Sequence, residues 1–148
     1  ELVAARRAEM EAAADLDLPE TILGDDYVPR RRGAADRRIL RGVPSSRGTY
    51  RGTARVIRSL DAAARLRPGD VLVVPFSDVA WTPLFARAGA VVAESGGMLS
   101  HSSIVARELG VPCVVSVPGA CTLPDGALLH VDGFAGTVTL ESADGTLP

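Results

Sequence analysis

Apolar residues along this chain fall into short runs that are separated by glycine, proline and aspartate. The runs Val71–Val74, Ala90–Ala93 and Cys113–Val115 are apolar throughout, which is typical of strands buried on both faces. The stretch Thr49–Ile57 alternates apolar and polar residues and predicts a half-buried strand. Further strands are predicted at Ile39–Val43, Leu128–Val131 and Thr137–Leu140.

Three segments have helical patterns. Residues 1–16 are rich in Ala, Glu, Arg and Leu, but their apolar positions are mostly alanine, so this helix should pack weakly. Asp78–Arg87 predicts a short helix with Asp78 as N-cap, ended by Gly89. Ser100–Leu109 is the clearest helix, with Ser100 as N-cap and with Gly110 and Pro112 preventing its continuation.

Hairpin-like strands mixed with strand–helix–strand units predict a single compact α/β domain with a mixed sheet. The pattern does not give the strand order. We expect an N-terminal helix and linker over residues 1–37, the domain over 38–141 and a tail over 142–148.

Composition narrows the classes of function. The 148 residues are 47% hydrophobic and carry a net charge of −2. Arginines cluster in residues 30–67, but aromatic residues do not interleave with them, so no nucleic-acid partner is predicted. No apolar run is long enough to cross a membrane, and no signal peptide is recognisable. Cys113 and Cys121 match neither a disulfide framework nor a metal motif, which favours a reducing, cytoplasmic location without a bound metal.

The chemistry is concentrated in Glu94–Val115. A buried strand ends at Gly96-Gly97, and a helix capped by Ser100 then begins with His101 at its first position. Unpaired N–H groups and the positive dipole at a helix start bind anions and favour a neutral imidazole, which is a nucleophile. Ser100, Ser102 and Ser103 add hydroxyl donors. From the residues alone, an ordinary glycine turn followed by a polar histidine is an equally good interpretation.

The segment Gly96–Val115, with Gly96-Gly97, Ser100-His101 and Ile104–Pro112, resembles the signature of the phosphoenolpyruvate (PEP)-utilising enzymes. The resemblance extends over residues 38–140, through Gly42–Val56, Arg67–Val74, Trp81–Phe85 and Val131–Leu140. The Trp81–Phe85 stretch and Glu94 are more similar to the rifampicin phosphotransferase and PEP synthase-like branch than to the dikinases.

The resemblance implies a swivelling β/β/α domain that carries a phosphoryl group. His101 is then the catalytic residue, and Gly96, Gly97, Ser100 and Ser102 bind the phosphate. The group moves between an ATP-grasp domain and an acceptor-binding domain of the same parent protein, so the chain is an incomplete part of a phosphotransferase. The resemblance implies no cofactor bound by this part, and ATP and Mg²⁺ for the parent enzyme.

Some features leave alternatives open. Ala93 stands where many family members carry a threonine, and Ser46-Arg47-Gly48 replaces a common Ser-Pro-Gly turn. The alternative function is therefore a non-catalytic docking module that retains the fold. An aconitase-like swivelling domain shares the architecture but does not explain Ser100-His101.

Glu94 either orients the imidazole or faces solvent. Arg107 is expected on a solvated helix face rather than at a phosphate, and His130 is given no role.

Overall fold

The computed structural model describes residues 2–13, 16–17, 30–31 and 39–141. Contacts divide the chain into two units, Glu1–Asp36 and Arg37–Pro148. In the first unit, helix α1 spans Leu2–Ala13, and the two-residue strands β1 (Leu16–Asp17) and β2 (Arg30–Arg31) pair antiparallel. The side chains of residues 3–13 are exposed, as expected for the alanine-rich helix. The predicted linker thus contains a strand pair; its other residues and the predicted tail lie outside the described residues.

The second unit is built around a mixed sheet of eight strands. Its elements are β3 (Ile39–Arg41), β4 (Val43–Ser46), β5 (Thr49–Val56), β6 (Val71–Val74), α2 (Thr82–Phe85), β7 (Ala90–Ala93), α3 (His101–Leu109), β8 (Cys113–Val115), β9 (Leu128–Asp132) and β10 (Thr137–Leu140). The strand order is β3-β10-β9-β5-β6-β7-β8-β4. Strands β5, β6, β7 and β8 are parallel, and the remaining pairs are antiparallel. The prediction of an α/β domain with a mixed sheet is confirmed.

The apolar runs are buried on both faces because successive side chains point to opposite sides of a strand. Val71, Val73 and Val92 pack against β9 and β10 in one cluster. Leu72 and Val91 belong to a second cluster with the helical segments. The sheet therefore curls so that one part covers the other, and helices cover the far side, which gives three layers of strand, strand and helix.

Gly42 joins the two ends of the sheet. It separates β3 from β4. The prediction of one continuous strand over Ile39–Val43 is therefore wrong. The two strands lie at opposite ends of the strand order, so the curled edges meet here. A Cβ at Gly42 would lie 2.4 Å from the Val115 carbonyl oxygen. Only glycine fits this closure.

The predicted helix over Asp78–Arg87 is interrupted. Asp78 does act as a cap, accepting a hydrogen bond from the Ala80 N–H at 2.9 Å, but it caps a 3-10 turn over Val79–Trp81. Pro83 then lies in the first turn of α2, where its missing N–H costs nothing. Because Pro83 cannot donate to the Val79 carbonyl, Thr82 does so with both its N–H and its hydroxyl. This arrangement fixes the direction of the Thr82 side chain.

Candidate functional site

Helix α3 presents His101 at its first residue. Ser100 caps the helix in an extended conformation, and its hydroxyl accepts from the Ser103 N–H at 3.4 Å. Gly110 ends the helix with a left-handed φ of 67°. The predicted N-cap and the predicted end are both confirmed. The imidazole therefore lies where a helix leaves N–H groups unpaired and its dipole is positive.

The half-buried imidazole has two specific neighbours. Its Nε2 lies 3.2 Å from the Thr82 hydroxyl oxygen, and its ring meets the Phe85 ring edge-on at a centroid distance of 6.3 Å. The single hydroxyl proton of Thr82 has two possible acceptors, the Val79 carbonyl and the His101 Nε2. When it is donated to the Val79 carbonyl, at 2.8 Å, Thr82 can only accept from a protonated Nε2, which leaves the lone pair on Nδ1. When it turns to Nε2, it occupies the lone pair there.

The loop before the helix carries the two glycines. Gly96 and Gly97 are exposed, and Gly96 adopts a φ of 117°. The Gly97 carbonyl accepts from the Ser103 hydroxyl at 2.6 Å and from the Ser100 N–H at 3.0 Å. A Cβ at Gly97 would meet no atom within 4 Å. The loop is therefore held from the protein side and open on the other.

The predicted phosphate-binding residues occupy two different environments. Gly96 and Gly97 are exposed and Ser100 is half-buried, in the segment that directly precedes His101 in sequence. Ser102 is only 2% exposed, and its hydroxyl lies 2.6 Å from that of Ser77. A direct contact between Ser102 and a phosphate would need this buried pair to open. The assignment of these four residues stays a prediction.

Metal and membrane features are absent from the residues that the structure describes. In the described ranges, no group of three or more His, Cys, Asp or Glu side chains is placed to hold a metal ion. Within those same ranges, no helix has the length and apolar character needed to cross a membrane.

Residues 66–136 match the model of the family "PEP-utilising enzyme, mobile domain". This chain carries the mobile domain of the PEP-utilising enzymes. The matched region includes α2, α3 and the glycine loop, so the site described above lies entirely within the family's domain. The family assignment made from the sequence is confirmed.

The relatives are larger proteins. An uncharacterized protein of Mycobacterium tuberculosis is 43% identical over 97% of the chain, which spans only 17% of that protein. A phosphoenolpyruvate synthase of Aeropyrum pernix is 43% identical over 71% of the chain, and 14% of its own length is covered. A rifampicin phosphotransferase of Bacillus subtilis is 34% identical over 95% of the chain, with 16% of its length covered.

The fold of the mobile domain also occurs in a distant solved structure. Aconitase X of Thermococcus kodakaraensis superimposes with a TM-score of 0.54 at 16% identity, covering 70% of this chain and 98% of that one. Identity this low shows a shared fold and nothing about activity.

The sequence did not predict the contacts of two residues near the candidate site, and it left one residue undecided. Thr82 was recognised only as part of Trp81–Phe85, because its contact with His101 spans 19 positions. Arg107 is exposed, as expected for a solvated helix face, but its guanidinium also donates to the carbonyls of Ser45 at 3.2 Å and Met98 at 2.9 Å, which the sequence did not predict. The Glu94 carboxylate accepts from the Cys121 N–H at 2.9 Å and so holds the segment after β8.

The two cysteines have no free thiolate to contribute. Both are buried and unpaired by disulfides. Burial raises the pKa of the Cys113 thiol to about 12. Burial, together with a hydrogen bond to Glu94 and its charge, raises the pKa of the Cys121 thiol to about 12 as well. Neither sulfur is a nucleophile at neutral pH.

Proposed function

We propose that this mobile domain is a phosphoryl carrier, in which His101 accepts a phosphoryl group at one active site and delivers it at another. The observation that carries the proposal is the half-buried imidazole at the start of α3, with Nε2 3.2 Å from Thr82 and an exposed glycine loop beside it. A phosphoryl group on this ring meets the positive end of the helix and its unpaired N–H groups.

The loading step uses only the imidazole of this chain. A ring nitrogen without a proton attacks phosphorus, an N–P bond forms, and the P–O bond to the leaving group breaks. The leaving oxygen keeps the electron pair of the broken bond, and the ring proton stays on the second nitrogen. In the delivery step an acceptor oxygen attacks phosphorus, the N–P electron pair returns to the ring, and a base outside this chain takes the acceptor's proton.

The donor and the acceptor belong to other parts of the parent protein in this proposal. The relatives named phosphoenolpyruvate synthase and rifampicin phosphotransferase support a place within a phosphotransferase, and the chain is 17% or less of the length of these relatives. We assign the donor to an ATP-grasp domain that binds ATP and Mg²⁺, and the acceptor to a further domain. We also assign the protein to a reducing, cytoplasmic compartment, with which the two free cysteines agree.

Exposed apolar side chains close to the site in sequence support docking against such domains. Leu99 is 85% and Val79 78% exposed, and Phe76, Met98 and Ile104 are about half exposed. Each lies within a few residues of His101 or of Thr82. These exposed apolar side chains also favour the alternative function, a docking module that binds other domains without carrying phosphate.

The test is to incubate the intact protein with ³²P-labelled ATP or PEP and to look for label that is lost in acid and stable in base. We expect label in the wild type and in a His130→Ala control, and none in His101→Ala. His130 is a suitable control because it is the other histidine and lies on β9. Label that persists in His101→Ala refutes the carrier, and full activity of the parent enzyme after this substitution supports the docking module.

A further inference from the structure

The loop Gly96–Leu99 is held through its carbonyl groups, one after another. The Gly96 carbonyl accepts from the Ser116 hydroxyl, and the Gly97 carbonyl accepts from the Ser103 hydroxyl at 2.6 Å. The Met98 carbonyl accepts from the Arg107 guanidinium at 2.9 Å. Three consecutive carbonyls are thus fixed by side chains that belong to α3 or follow β8.

These carbonyls determine where the neighbouring N–H groups point. In a trans peptide the C=O of one residue and the N–H of the next point in opposite directions. Fixing the carbonyls of residues 96–98 towards the protein therefore directs the N–H groups of Gly97, Met98 and Leu99 away from it. Within the described residues, no hydrogen bond has these three N–H groups as donors. They remain available to a phosphoryl oxygen.

Arg107 holds the last of these three carbonyls, that of Met98. It lies six residues after His101 on α3, about 9 Å further along the helix, so it acts at a distance from the ring. One end of its guanidinium holds Met98 and the other holds Ser45 on β4, at 3.2 Å. Among the described residues, no carboxylate forms an ion pair with it. Its two hydrogen-bond partners are neutral backbone carbonyls, as expected of a residue that fixes the loop rather than of a surface charge.

We propose that Arg107 is a positioning residue for phosphoryl transfer: it ties the Met98 carbonyl to β4 and thereby orients the loop N–H groups towards the phosphoryl group on His101. The inference rests on the proposed function, because it supposes that His101 is phosphorylated. It assigns Arg107 no contact with phosphate, so the guanidinium acts through the loop.

The test compares variants of the intact protein in the rate of His101 labelling by ³²P-labelled ATP or PEP. Arg107→Ala should slow labelling by about 10- to 100-fold, the effect of losing one charge-assisted hydrogen bond. The KM for the donor should not change, because the donor binds elsewhere. Arg107→Lys, with a single-point donor, should recover only part of the rate. Added guanidinium ion should restore the labelling rate of Arg107→Ala several-fold. If the substitution only destabilised the fold, added guanidinium would not restore the rate.

Arg87→Ala is the matched control. Arg87 is also an exposed arginine that donates to a backbone carbonyl, that of Leu66 at 2.7 Å, and it does not contact the loop. Equal labelling rates in Arg107→Ala and Arg87→Ala overturn the proposal, as does a slowing that guanidinium does not reverse. If Arg107→Ala does not fold, Arg107→Lys is the test, and a wild-type rate in it overturns the proposal. Absence of label from the wild type refutes the proposed function instead.

Discussion

Gly96 is the position at which the geometry of the glycine loop can be tested most sharply by stability. Its φ of 117° is a conformation that L side chains rarely adopt. A Cβ there would lie 3.0 Å from the Ser100 hydroxyl oxygen and 3.2 Å from the Ser100 Cβ. Gly96→Ala therefore strains the backbone and displaces the residue that caps α3.

The two effects can be given magnitudes. Holding alanine in this part of backbone space costs about 1–3 kcal/mol. Loss of the Ser100 cap costs about 1 kcal/mol more. The sum, about 2–4 kcal/mol, is a large part of the 5–15 kcal/mol by which a domain is typically stable. For a chain of this size we expect the unfolding temperature to fall by roughly 6–15 °C.

Gly97→Ala is the matched control for stability, because its Cβ meets nothing within 4 Å and its φ is not positive. We expect it to change the free energy of unfolding by less than about 0.5 kcal/mol. Urea and thermal unfolding, followed by circular dichroism, measure both variants. If Gly96→Ala and Gly97→Ala unfold together, the account of the turn and of the Ser100 cap is wrong.

Three further predictions concern single side chains. Thr82→Val should slow His101 labelling by about tenfold, the effect of one hydrogen bond, while Thr122→Val, which loses the same kind of hydroxyl–carbonyl bond away from the site, should not; equal rates contradict the role of Thr82. Burial raises the pKa of Asp125, but the hydrogen bond from the Val56 N–H and the nearby arginines outweigh burial, so the pKa is lowered overall. The ionised Asp125 carboxylate therefore contributes stability above about pH 4, and this contribution is lost as pH falls through the lowered pKa. The difference in unfolding free energy between the wild type and Asp125→Asn should shrink in acid, and a constant difference refutes this. A thiol reagent at pH 8 should label the two cysteines only on unfolding, and rapid labelling of the native protein contradicts their burial.

The elements that local patterns determine were predictable. Val71–Val74, Ala90–Ala93 and Cys113–Val115 are strands with the predicted bounds, because both their faces are buried and turn residues flank them. Thr137–Leu140 is also a strand with the predicted bounds, although only Val138 of it is buried. Helix α3 was equally clear, since a serine cap and a terminal glycine mark its two ends. In each case the determining interactions lie within a few residues of one another.

Features that depend on distant residues were not predictable. Gly42 separates two strands at opposite ends of the sheet order, and nothing in Ile39–Val43 indicates that the sheet curls back to meet there. The contact between Thr82 and His101 needs the turn that Pro83 imposes and the packing of α2 beside α3. Arg107 binds backbone carbonyls, which any residue supplies, so no sequence pattern marks its partners.

The central claim is that His101 carries the phosphoryl group, and mapping the modified residue tests it most directly. The intact protein is incubated with ATP or PEP, digested at basic pH to preserve phosphohistidine, and analysed by mass spectrometry. The account predicts one added phosphoryl group, on the peptide containing His101, which disappears on mild acid treatment. Phosphate on any other residue, or an unmodified His101 in a protein that is turning over, would contradict it.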